Sequence, residues 1–238
     1  MIRALALAAT LAAALAPTAG AAGPTVVIDP GHDRLANSAT EPIGPGSPTP
    51  KIKDGGGTSG VVTGIREADL VLDVSLRLRA LLRRAGVTVV MTRTVTAGKS
   101  MGNIARARIA NRVGAALFLR VHADGHPDSG VRGTHTLVPA LRAGWTADVY
   151  RESRRAAATV QRELLPALGF PDRGIQERPD FTGFNWADVP VILVELGFMT
   201  NPVDDRALAR PAVRARAAEG LCRGTLAYLG LSPARCRI

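Results

Sequence analysis

The sequence predicts an α/β fold: a single domain with a mostly parallel, twisted β-sheet flanked by helices on both faces. Two observations carry this. Short, mostly apolar runs recur at 26–29, 87–93, 115–121 and 189–196. Segments with helical periodicity lie between most of them. Strands that alternate with helices pair in parallel, because each helix carries the chain back across the sheet.

The first strand is Val26-Val27-Ile28-Asp29, ended by the Pro30-Gly31 break, with His32 just beyond it. Residues 33–66 form a long, mostly irregular stretch with Pro42, Pro45, Pro48, Pro50 and then Gly55-Gly56-Gly57. Stretches this long inside a compact domain are usually functional or disordered. It is expected to be either a lid or hairpin over the site, or a floppy insertion. Glu67 opens a helix with Leu70, Val74, Leu78, Leu81 and Leu82 on one face, stopped by Gly86. A strand at 87–93 and a helix at 101–113 follow, and then a strand at 115–121 that runs into His122. Residues 133–138 alternate and read as an edge strand. Residues 148–168 read as a helix that Pro166 should end early. The apolar strand at 189–196 contains Glu195, and residues 204–229 read as a helix broken near Pro211.

The chain has 238 residues, of which 46% are hydrophobic, enough for one domain with a substantial core. Its formal net charge of +10 suggests an anionic partner. Aromatic residues make up only 4% and do not interleave with basic ones, which argues against nucleic acid. The N-terminus narrows the choice further. Met1-Ile2-Arg3 is short and positive, an Ala/Leu-rich run follows, and Ala19-Gly20-Ala21 offers a small-residue cleavage site. Residues 1–22 therefore read as a secretory signal peptide, too short to span a bilayer comfortably. The mature domain, 23–238, is expected to be exported, periplasmic or cell-wall associated, without a transmembrane segment after cleavage, and monomeric. Export permits a disulfide between Cys222 and Cys236. The alternative is two unpaired thiols.

Parallel strands bring their C-terminal ends to one edge of a sheet, where such folds place their ligands. His32, His122 and Glu195 all lie at or beside strand ends, and a helix starting at the same edge adds Glu67. Two histidines and one glutamate make a catalytic zinc shell with an open fourth position. A further carboxylate is then needed to take and deliver protons. Glu195 fits that role, since the apolar run before it should raise its pKa. Asp29 is expected to orient a ligand histidine or cap a turn. Asp33 and Asp124 read as loop acids that could support a ligand. His126 should be solvated, and His135 should be a substrate contact or a surface residue. The cysteines lie apart from the histidines and acids and are not proposed as ligands. These residues describe a zinc hydrolase acting on a carbonyl substrate.

Three stretches, Val-Val-Ile-Asp-Pro-Gly-His (26–32), Val-His-Ala-Asp (121–124) and Val-Glu-Leu-Gly-Phe-Met-Thr-Asn-Pro (194–202), together resemble the zinc-dependent N-acetylmuramoyl-L-alanine amidases of type 3. The resemblance spans about 25–229. It implies one Zn²⁺ held by His32, Glu67 and His122, and Glu195 as the acid/base. Glu41 is the alternative acid for Glu67. The implied reaction is hydrolysis of the amide between the lactyl group of N-acetylmuramic acid and L-alanine in peptidoglycan, for wall remodelling or autolysis. The rival readings are a zinc peptidase cutting the stem peptide and a non-catalytic peptidoglycan-binding protein. No His-Glu-x-x-His helix is present to support the peptidase. Segment 181–188 departs from the commoner family pattern, which points to a difference in substrate recognition there. The 33–66 stretch is where a protein regulator would act.

Overall fold

The computed structural model describes residues 23–236, so the expected signal peptide lies outside the described residues. Eight strands and six α-helices follow in the order β1 (Thr25–Pro30), β2 (Asn37–Pro42), β3 (Pro50–Asp54), α1 (Glu67–Arg84), β4 (Thr88–Met91), α2 (Asn103–Arg112), β5 (Leu117–Asp124), β6 (Thr134–Pro139), α3 (Tyr150–Leu168), β7 (Asp172–Arg178), α4 (Thr182–Asn185), β8 (Val191–Phe198), α5 (Pro202–Leu208) and α6 (Pro211–Tyr228). A six-stranded sheet has the order β4-β1-β5-β8-β6-β7. Strands β4, β1, β5 and β8 are mutually parallel. β6 and β7 pair in parallel with each other, and β6 runs antiparallel to β8.

Alternation along each strand sends side chains to opposite faces. Val26 and Ile28, with Leu117, Leu119, Ile192 and Val194, pack under α1, α3 and α6. Val27, Phe118, Leu137, Val191 and Leu193 pack instead under α2 and α4 with Ala107, Ala110 and Phe184. Both faces are therefore covered, which is why the central strands read as continuous apolar runs.

Two expectations are corrected and one alternative is resolved. The alternating stretch at 133–138 is not an edge strand: β6 lies between β8 and β7, and β7 forms the edge. The sequence of β7, DRGIQER, is polar and largely exposed, as suits an edge, so it carries no apolar strand signal. Pro166 does not end α3, which continues to Leu168 and closes on Gly169 in the left-handed conformation. A proline in the last turn removes a single ladder hydrogen bond, which the rest of the helix tolerates. The 33–66 stretch is not floppy: β2 and β3 form an antiparallel hairpin. The break near Pro211 is real, with Pro202 opening α5 and Pro211 opening α6.

The C-terminal segment is tied back by a disulfide between Cys222 on α6 and Cys236. Both residues are fully buried.

Candidate metal centre and acid/base site

The site is built on the α2/α4 face of the sheet, at the C-terminal ends of β1, β5 and β8. Phe118, Arg120 and His122 alternate onto this face from β5. Register places His122 beside Glu195 on β8, and Glu195 opposite His135 on β6. Because β6 is antiparallel, its beginning, rather than its end, reaches this edge.

His32 follows β1 in a left-handed backbone conformation, φ +57°, unlike any other described non-glycine residue. Such a conformation costs about 1–3 kcal/mol and persists where the surroundings over-determine it. Here two arginines hold the turn. Arg93 donates to the Pro30 and Gly31 carbonyls, and Arg106 to the Pro30 and His32 carbonyls. Gly31, just before His32, is needed for space. A Cβ there would overlap the His122 ring, so only glycine lets that imidazole rest on the turn.

Glu67 opens α1, and its backbone N–H donates to the Thr58 carbonyl. Its Oε1 lies 3.3 Å from His32 Nε2 and 3.0 Å from His122 Nδ1. One potential ligand atom from each of His32, Glu67 and His122 lies within 4.8 Å of the others. The three predicted ligands are thus brought together from two strand ends and one helix start. Glu41 is not: its carboxylate accepts from the Asn103 and Ile104 N–H groups at the start of α2, so it is a helix cap.

Asp29 is corrected as well. It does not touch His32. It is completely buried between Arg106 at 2.5 Å and Arg120 at 2.8 Å, and it accepts from Thr92. The carboxylate beside His32 Nδ1 is Asp54, at 2.6 Å. Asp54 ends β3 and also accepts from Gly56 N–H and the Ser100 hydroxyl. The signal in the sequence was an acid immediately before the three glycines at 55–57.

The acids and histidines of the site shift one another's titration. Burial alone would lower the pKa of His32, but Asp54 and Glu67 raise it to about 10. Burial would raise Asp54, yet His32, Ser100 and Gly56 hold it at about 2. Glu67 is likewise held low against its burial by the two histidines. Glu195 shows the opposite balance: burial, then the charges of Asp124 and Glu67, push its pKa well up. One Glu195 oxygen, Oε2, is buried without a partner among the described residues.

His135 is not at the surface. It is buried, stacks on Phe198, and lines neither of the cavities described next. Its Nε2 lies 3.4 Å from Asp124. Burial, then Arg173 and Arg178, lowers its pKa to about 4, so it is neutral. His126 is exposed, as expected.

His32, His122 and Glu195 lie between two cavities. One, of about 270 Å³, extends under the hairpin and is lined by Lys51–Gly55, Asn103, Arg106, Arg120, Phe181, Thr182 and Leu193. The other is a more open cleft past Gly57, Thr58, Asp124 and His126. The hairpin roof is fastened down. Trp186 Nε1 donates to the Pro42 carbonyl, Asn185 to that of Ile43, and Lys51 to that of Asp180.

A family model described as N-acetylmuramoyl-L-alanine amidase matches residues 26–227. The chain belongs to this amidase family. An amidase of this name from Mycobacterium tuberculosis is 35% identical over 234 residues, covering 92% of each chain. The structure of the N-acetylmuramyl-L-alanine amidase of Mycobacterium smegmatis aligns with a TM-score of 0.80 at 30% identity, covering 88% of this chain and 98% of that one. The corresponding Mycobacterium abscessus enzyme aligns at 0.79 and 29%, covering 87% and 99%. The amidase described here thus has the single-domain α/β architecture of solved amidases. As a member of this family it is a hydrolase.

Proposed function

We propose that this amidase hydrolyses the bond between the lactyl carbonyl of N-acetylmuramic acid and L-alanine in peptidoglycan, with one zinc ion held by His32, Glu67 and His122. The observation that carries the proposal is the convergence of these three residues, with Glu195 buried beside them, in a chain of this family. The donor set suits zinc, which takes histidine nitrogen and carboxylate oxygen. His32 Nε2 and His122 Nδ1 both face Glu67 Oε1, at 3.3 and 3.0 Å, as donor atoms converging on one ion would.

Zinc supplies Lewis-acid chemistry there, polarising a carbonyl and acidifying water. The protein's own residues do the rest. Asp54 fixes the ring of His32, and Gly31 gives His122 its room. Glu195 takes a proton from the attacking water as oxygen bonds to the lactyl carbon. It returns that proton to the alanine nitrogen as the C–N bond breaks. Its raised pKa suits a group that must hold the proton between the two events.

Residues 1–22 support export, and the expected location is the periplasm or cell wall. The strongly basic composition fits retention on an anionic wall. Both ideas have direct tests: N-terminal sequencing of the exported protein, and binding to sacculi at rising salt, which should weaken it.

The decisive experiment incubates purified 23–238 with sacculi, with and without a chelator. Expected products are peptide-free glycan with lactyl carboxylates and peptides beginning at L-alanine. Cuts inside the stem peptide, or release that a chelator leaves unchanged, would overturn the proposal.

A further inference from the structure

The cavity under the hairpin has features that catalysis at the metal does not use. Arg120 is buried, with Nε on Asp29 and Nη2 on Asn103 Oδ1 at 2.7 Å. Its Nη1 makes no hydrogen bond among the described residues, and the side chain lines the cavity. Gly183 matters here, because a Cβ at that position would overlap Nη1. The bare glycine leaves that end of the guanidinium uncovered. Thr182, next to Gly183 in the chain, also lines the cavity, and its buried hydroxyl has no partner among the described residues. Lys53, from the hairpin, lines the same cavity and makes no ion pair among the described residues. Lys51 stands at the same wall, shared with Asp180.

An uncovered guanidinium nitrogen, a hydroxyl without a partner and a lysine converging on one small cavity favour a planar anion. The two sides of the scissile amide differ in charge. The sugar and its lactyl group, once amidated, are neutral. The peptide carries free carboxylates, and the first after L-alanine is the α-carboxylate of a glutamate joined through its side chain.

We propose that Arg120, Thr182 and Lys53 form a carboxylate subsite that takes this glutamyl carboxylate and so sets the direction in which the stem peptide lies across the site. This rests on the amidase reading and names a part of its substrate. It gives Gly183, in the segment where the chain departs from the commoner family pattern, a specific task. It also assigns the hairpin a role in binding as well as in covering. A carboxamide at the same position would leave the cations without their counter-charge.

The test is calorimetry of the zinc-loaded protein with L-alanyl-D-isoglutamate and with its isoglutamine counterpart. The acid should bind about tenfold more tightly, the scale of one charge-assisted contact. Lys53→Gln, and Gly183→Ala, which covers Nη1, should each cut that preference severalfold while zinc content stays at the wild-type level. Arg120→Gln should abolish it but also disturbs Asp29, so the other two variants carry the decision. Equal binding of the two peptides, no binding of the acid at millimolar concentration, or a preference that both variants leave intact would overturn the subsite. If sacculi are digested yet the peptides bind alike, the subsite alone falls. If the acid is preferred yet sacculi stay intact, the amidase reading falls instead.

Discussion

Asp54 Oδ1 lies 2.6 Å from His32 Nδ1, so a carboxylate carried by the hairpin fixes the ring of a candidate ligand that follows a central strand. The variant Asp54→Asn should lower zinc affinity by about 10–100-fold, the usual cost of losing such a partner. Competition with a chromophoric chelator measures this directly. An affinity unchanged from wild type would mean that the hairpin does not support the metal centre.

Glu195 separates binding from chemistry. Glu195→Gln keeps the shape, removes the basic oxygen, and should lose about 10²–10⁴-fold in turnover. Zinc content by elemental analysis should stay near one ion per chain. Near-normal release of peptide from sacculi would remove Glu195 from the mechanism.

Gly31 offers a steric test of the turn. In Gly31→Ala the new methyl meets the His122 ring, so imidazole or turn must shift. The circular dichroism spectrum should remain that of the wild type while zinc content falls. Full zinc loading would show that the turn yields more easily than the contact implies.

Asp29 predicts the acid limb of stability. Burial would raise its pKa, but Arg106 and Arg120, with the Thr92 hydroxyl, hold it well below the usual carboxylate range. The folded state therefore binds its proton less readily than the unfolded chain, where an aspartate titrates near pH ~3.9. The contribution is fully present above that pH and is lost as pH falls toward the folded value. Asp29→Asn leaves two buried arginines uncompensated and should cost about 3–5 kcal/mol at pH ~7. In urea melts the gap between variant and wild type should narrow below pH ~4. A gap independent of pH would contradict the ionised pairing.

The disulfide can be tested by reduction. Cys222 and Cys236 are 14 positions apart. A loop of that size contributes about 3 kcal/mol in the chain-entropy model. The double variant Cys222→Ser with Cys236→Ser should unfold at correspondingly lower urea, and a reducing agent should shift the wild type toward it.

Much of the architecture was legible because the central strands are apolar on both faces, and their C-terminal ends carry His122 and Glu195. The sequence left a hairpin and a floppy insertion as alternatives, because Asn37–Pro42 and Pro50–Asp54 are polar, proline-flanked and only partly buried. Their stability comes from contacts with Asn185 and Trp186, far along the chain, which no local pattern announces. Asp54 was missed because its approach to His32 depends on that hairpin. Asp29 misled for a different reason. It sits three residues before His32, but register pairs it with Arg120, while the left-handed turn at His32 carries that side chain elsewhere. Its influence on His32 passes through Arg106, which holds the turn.

The sheet order has a consequence for synthesis. β8 lies between β5 and β6 yet is the last strand in the chain. A nascent chain halted before residue 191 has its three metal-ligand candidates but lacks a central strand of the sheet and Glu195. Such a fragment has neither the strand that joins β5 to β6 nor the carboxylate proposed to carry the proton, so the site can be completed only after nearly the whole sheet has been made.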